Sequence, residues 1–93
     1  MQRLRERRTV ALVRLEQLKE RLRQLEEAGR ADQQRIFDSY SKYRNANDPS
    51  SRSALHREVG GIQMQMARRG TEQQTVREEI ARLQAELEQG AAK

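Results

Sequence analysis

The sequence predicts an all-α fold, an antiparallel two-helix coiled-coil hairpin, and three observations carry that prediction. Helix-breaking chemistry is concentrated in one stretch, Asn45-Ala46-Asn47-Asp48-Pro49-Ser50-Ser51, which holds the single proline of the chain. On either side of it runs a long charged segment whose apolar residues recur at steps of four and three, the spacing of a coiled-coil seam. Finally, residues equally far from the turn are apolar together. Facing residues then share a nearly constant sum of residue numbers, as an antiparallel pair requires.

The first helix is expected over about residues 2–45. It lacks proline, is rich in strong helix formers, and carries an apolar ladder of Leu4, Ala11, Leu15, Leu18, Leu22 and Leu25. The ladder weakens at Gly29 and Gln33 and resumes at Ile36, Tyr40 and Tyr43. Two successive steps of four, from Leu25 to Gly29 to Gln33, read as a stutter that relaxes the supercoil locally.

The turn is expected at about residues 46–48, and the second helix over about 49–89. Asp48 suits the N-cap, and Pro49 suits the first helical position, where its missing N–H costs nothing. The second ladder is more regular: Leu55, Val59, Ile62, Met66, Arg69, Gln73, Val76, Ile80, Leu83 and Leu87. Gly90 is expected to stop the helix. The register sets Leu22 against Val76, Leu18 against Ile80 and Ile36 against Ile62. Tyr40 with Val59 is off by one. Gly29 falls opposite Arg69 and Leu25 opposite Gln73, so a polar waist should join two apolar halves.

Composition narrows the function. With 93 residues, 34% hydrophobic and 3% aromatic, the chain is too lean for a thick globular core. At 1.5 Å per residue each arm makes a rod roughly 60 Å long. A rod with a single seam has little net stability, so a partner protein or a second copy of the chain is expected to cover more of it. No apolar run approaches a membrane span, and no membrane insertion is expected; a cytoplasmic protein is the simplest expectation. The absence of cysteine removes thiolate zinc sites and cysteine nucleophiles.

Catalytic chemistry is not expected either. His56 is the only histidine and has no second imidazole or thiolate with which to hold a metal. Glu26-Glu27 and Glu78-Glu79 are sequence neighbours that point about 100° apart on a helix and cannot act as one acid/base couple. Gly60-Gly61 lies inside the heptad run. It reads as a bendable or closely approached piece of helix rather than a phosphate loop. The chain is expected to be no enzyme and to carry no catalytic, metal or cofactor site.

The net charge of +5 leaves docking as the favoured activity. Arginines crowd the amino end, where the register brings Glu86 and Glu88 near them and should neutralise part of the charge. Lys42, Arg44, Arg52 and Arg57 gather at the turn, and Arg30, Arg68 and Arg69 at the waist. Val10, Leu12, Val13, Phe37 and Met64 are candidate contacts off the seam. Nucleic-acid binders of this size show a stronger basic stripe or interleaved aromatics. Here Phe37, Tyr40 and Tyr43 are expected to fit the seam or its edge, so protein contact is favoured over nucleic acid.

The Arg-rich start (Arg3, Arg5, Arg7, Arg8), the leucine-seamed arm, the approach to the turn (Ile36-Phe37-Asp38-Ser39-Tyr40-Ser41-Lys42-Tyr43-Arg44) and the returning Gln/Glu/Arg-rich helix resemble the FliJ/YscO family. These are antiparallel coiled-coil stalks of the flagellar and virulence type III export machines. The resemblance covers most of the chain and rests on architecture and composition; the chain is shorter than the usual members. It implies a non-enzymatic rod that engages a hexameric secretion ATPase, an export chaperone or a gate component. On this reading Arg3, Arg5, Arg7 and Arg8 with Val10 and Val13 would dock one end, and Lys42, Arg44 and Arg52 the other, with Phe37 beside the seam as a further contact. The alternatives are a basic hairpin that dimerises into a four-helix bundle and binds RNA, and a co-chaperone whose partner completes its core.

Overall fold

The computed structural model describes residues 2–92, with side chains described over 5–90. Helix α1 spans Gln2–Lys42 and helix α2 spans Pro49–Ala92. They pack against each other as an antiparallel hairpin of 71 × 17 × 14 Å. Its radius of gyration, 20.7 Å, far exceeds the ~12 Å of a compact domain of this length. The molecule is a rod.

The turn forms as its chemistry dictates, though α1 ends three residues earlier than its helix formers alone suggest. After Lys42 the chain tightens: the N–H of Arg44 reaches the carbonyl of Ser41, and that of Ala46 the carbonyl of Tyr43. These i→i+3 bonds draw the chain back toward Pro49. Asp48 caps α2, its carboxylate accepting the Ser51 N–H at 3.1 Å. At the other end α2 runs through Gly90 to Ala92 and does not stop at 89. Gly90 stops a helix only by adopting positive φ, which no described residue does; two alanines follow it, the residue best suited to continue.

The seam corrects the expected stutter. Buried Leu15, Leu18 and Leu25 continue through half-buried Gly29 to Asp32 and Ser39, which are 2% and 8% exposed. Gln33 is exposed, and Tyr40 is 54% exposed. The steps from Gly29 to Asp32, Ile36, Ser39 and Tyr43 alternate three and four, so the heptad frame is unbroken. Ser39, not Tyr40, faces Val59, which removes the off-by-one pair from the register. Two polar residues hold the frame because Asp32 has a partner in the groove. Arg69 donates to it from α2, and Arg35 lies at 3.5 Å. The waist is thus polar and paired, while the half nearer the termini is packed by Leu18, Leu25 and Val76, with Leu22, Ile80 and Leu83 against them.

Candidate functional site

The unbroken frame assigns every residue to a flank of the rod, and the two flanks differ in chemistry. On one, α1 places Arg7, Arg14, Arg21, Arg35 and Lys42 at seven-residue intervals, interrupted by Ala28; α2 answers with Glu58, Gln65, Glu72, Glu79 and Glu86. Arg14 pairs with Glu79 at 3.4 Å, Arg21 with Glu72 at 2.7 Å and Lys42 with Glu58 at 3.6 Å, and Arg35 donates to Gln65 at 3.2 Å. Each exposed pair is worth about 1 kcal/mol or less, yet the repeated sign pattern favours this pairing of flanks and the antiparallel orientation. At the turn the Tyr43 hydroxyl donates to Glu58 at 3.0 Å. That bond, with Lys42 beside it, holds the Glu58 carboxyl below its ordinary pKa. Glu58 in turn raises Lys42. Asp48 is lowered by its bonds from Ser51.

The opposite flank has one ion pair between the helices among the described residues, Arg77 with Glu26 at 3.8 Å. Toward the turn it carries Arg30, Gln33, Phe37 and Tyr40 on α1, with Arg44 in the turn beyond. Phe37 is 66% exposed, and with Tyr40 it stands off the seam that was expected to absorb the aromatics. The glycines of α2 make no close approach to α1: a Cβ at Gly60, Gly61 or Gly70 would meet nothing within 4 Å.

The terminal end has a third character. Arg8 falls on the seam but stays exposed, and the small residues Ala11 and Gly90 leave the seam underfilled. A groove of about 390 Å³ opens there, lined by Arg5, Arg7, Arg8, Ala11, Glu86, Leu87 and Gly90. Glu86 shares this groove, but among the described residues no carboxylate lies within ion-pair distance of Arg5, Arg7 or Arg8, so the expected neutralisation by close pairing is not formed. Val10 and Val13 share a face beside Arg14 and Gln17, whereas Leu12 points to the other flank, so the apolar run is split in two. Arg3 lies outside the residues whose side chains are described, as does Leu4.

Of the residues expected at the turn, Lys42 is engaged by Glu58. Arg44 and Arg52 make no ion pair among the described residues, and the backbone N–H of Arg52 bonds the carbonyl of Asp48 at 3.3 Å. At the waist Arg69 turns inward to Asp32, and Arg30 lines a shallow cleft of about 360 Å³ with Gly29, Gln33, Met66 and Gln73. Arg68 takes no part in it. Met64 is exposed on the outer face, as its position requires.

The sequence reading missed Asp32 and the alternating ladder of charge. Both had a signal: Asp32 lies three residues after Gly29, and the acids and bases recur every seven. No group of acidic residues and His56 could hold a metal among the described residues, and no helix there is long and apolar enough to cross a membrane. Comparison with protein-family models, curated proteins and solved structures found no match. The fold therefore defines the class, a helical-hairpin rod.

Proposed function

We propose that this chain is a non-enzymatic docking rod that serves as stalk or adaptor in a type III secretion apparatus, virulence or flagellar, and binds its export ATPase or chaperones. The observation that carries the reading is the terminal end. There a long stiff hairpin presents Val10 and Val13, 68% and 53% exposed, beside Arg14, which pairs with Glu79, and near Arg7, which has no carboxylate at ion-pair distance among the described residues. Apolar anchors rimmed by cations suit a protein surface with an acidic edge. The secretion assignment itself draws on the resemblance of the Arg-rich start, leucine arm and aromatic approach to the stalk family.

The test is a pull-down from source-cell lysate, with and without nuclease, read by mass spectrometry. Nuclease-resistant recovery of a hexameric secretion ATPase or its chaperones, lost in the Val10→Asp/Val13→Asp variant, is the expected result. Recovery dominated by nuclease-sensitive material would overturn it. One observation favours the second reading, a basic RNA-binding hairpin: Phe37 and Tyr40 are exposed between Arg30 and Arg44, where bases could stack.

A further inference from the structure

We propose that the flank formed by Arg30, Phe37 and Tyr40 on α1, by Arg44 in the turn that follows, and by Gly60 and Gly70 on α2 is a docking groove for an acidic amphipathic helix of a partner protein. The inference rests on the reading of the rod as a docking protein and is independent of the secretion assignment.

Three features converge on it. First, the frame fixed by the buried seam places residues 30, 37 and 40 on one side of α1, with Arg44 two residues beyond its end and the rings of Phe37 and Tyr40 66% and 54% exposed. Rings standing off a coiled coil with nothing of their own chain to cover them are the anchor type that dominates protein interfaces, and arginine is its usual companion. Second, the flank holds no acid between Arg30 on α1 and Arg44 in the turn, nor over the corresponding α2 positions from Ser53 to Gln74; Glu26, which lines the cleft beside Arg30 and Gly70, is paired with Arg77 at 3.8 Å. Across the rod, by contrast, each base from Arg14 to Lys42 is matched by a carboxylate or amide: Arg14 with Glu79, Arg21 with Glu72, Arg35 with Gln65 and Lys42 with Glu58. The zipped flank satisfies its own charge and the open flank does not. Third, nothing in the hairpin requires glycine at 60 or 70, where an added Cβ would touch no atom within 4 Å, although glycine is among the poorest residues inside a helix. Their bare backbone leaves α2 a flat wall that another helix can approach closely.

The same features select the occupant. A second copy docked by a two-fold axis would set Arg30 and Arg44 against their own equivalents, and like charges oppose that pairing. A single-stranded nucleic acid calls for a positively charged groove that tracks its backbone, whereas the α2 wall from Ser53 to Gln74 contains no lysine or arginine in this frame. One cationic wall, two ring anchors and one flat neutral wall match a helix with an apolar stripe and an acidic edge, the helix-in-groove mode of recognition.

The test titrates the full chain with a labelled synthetic peptide of three heptads, leucine at a and d, glutamate at e and g, and alanine elsewhere. The same peptide with lysine for glutamate and a single-stranded oligodeoxythymidine serve as the other probes. Saturable binding of the acidic peptide alone is expected. It should weaken by about tenfold or more in Phe37→Ala/Tyr40→Ala, since loss of one strong anchor is worth roughly that factor. It should also weaken in Gly60→Gln/Gly70→Gln, which fills the wall while raising helix propensity, so that loss there is not loss of fold. Circular dichroism checks both variants. No binding, or equal binding by wild type and variants, overturns the proposal. Tighter binding of the oligonucleotide that depends on Phe37 and Tyr40 also overturns it and reassigns the flank to nucleic acid. Each of these outcomes leaves the terminal end untouched, because Val10→Asp/Val13→Asp is scored by pull-down.

Discussion

The half of the rod nearer the termini and the waist use the same heptad frame with opposite chemistry. In the first, Leu18, Leu22 and Leu25 meet Val76, Ile80 and Leu83, and burial of apolar area holds the helices together. At the waist, the frame continues only because Asp32 finds Arg69 across the seam. Leucine layers can slide by a heptad at little cost; a buried acid has one satisfactory neighbour. The comparison teaches that the apolar half supplies adhesion and the waist supplies register, the best attested use of a polar residue inside a coiled coil.

The sharpest way to break this division is to orphan the buried acid. Arg69→Ala leaves Asp32 only Arg35 at 3.5 Å and should destabilise the hairpin by up to about 3–5 kcal/mol, the cost of stranding one member of a buried pair outright; urea unfolding followed by circular dichroism measures it. Asp32→Ala should cost less, because the Arg69 side chain is already 32% exposed and can carry its charge out to water. Equal losses would contradict the burial asymmetry. Replacing both, Asp32→Leu/Arg69→Leu, converts the waist to the chemistry of the terminal half. That variant should gain about 1–4 kcal/mol while its register becomes less unique, which broadened amide resonances across 25–40 would report.

Much of this was legible in the sequence, and the shortfalls have physical reasons. The turn could be read because Asp48 and Pro49 have few other uses side by side, and the second seam because its two polar positions, Arg69 and Gln73, interrupt otherwise apolar runs, Leu55 to Met66 and Val76 to Leu87. The stutter was misread because aromatic Tyr40 looked better suited to a core than Asp32 or Ser39. Hydrophobicity ranks single residues, whereas burial of Asp32 depends on a partner 37 residues away. The open flank was half hidden for the same reason: Phe37 was read as a contact beside the seam, but Tyr40 was assigned to the seam by type, and its exposure follows only once the frame passes through Asp32.

Smaller changes sharpen the contrast further. Gly60→Ala and Gly70→Ala should each stabilise α2 by up to about 1 kcal/mol, since Ala exceeds Gly by that much inside a helix and neither Cβ meets a neighbour; thermal unfolding checks this. The least effect expected is the turn end's own contribution to acid sensitivity. Glu58 and Asp48 have carboxyls lowered by the Tyr43 hydroxyl and by Ser51 respectively. Their favourable contribution is therefore complete above the unfolded carboxylate value, about 4, and is lost as pH falls through the lower folded values. Thermal midpoints should fall on acidification below about pH 4, and Glu58→Gln should blunt that fall.

The continuous frame through the waist is the claim on which both flanks depend, and the chain's lack of cysteine allows it to be tested by paired substitution. Under mild oxidation, Ser39→Cys/Val59→Cys should cross-link rapidly within one chain, and Tyr40→Cys/Val59→Cys should not. Preferential cross-linking of the 40 and 59 pair would restore the stutter, return Tyr40 to the seam and remove the open flank.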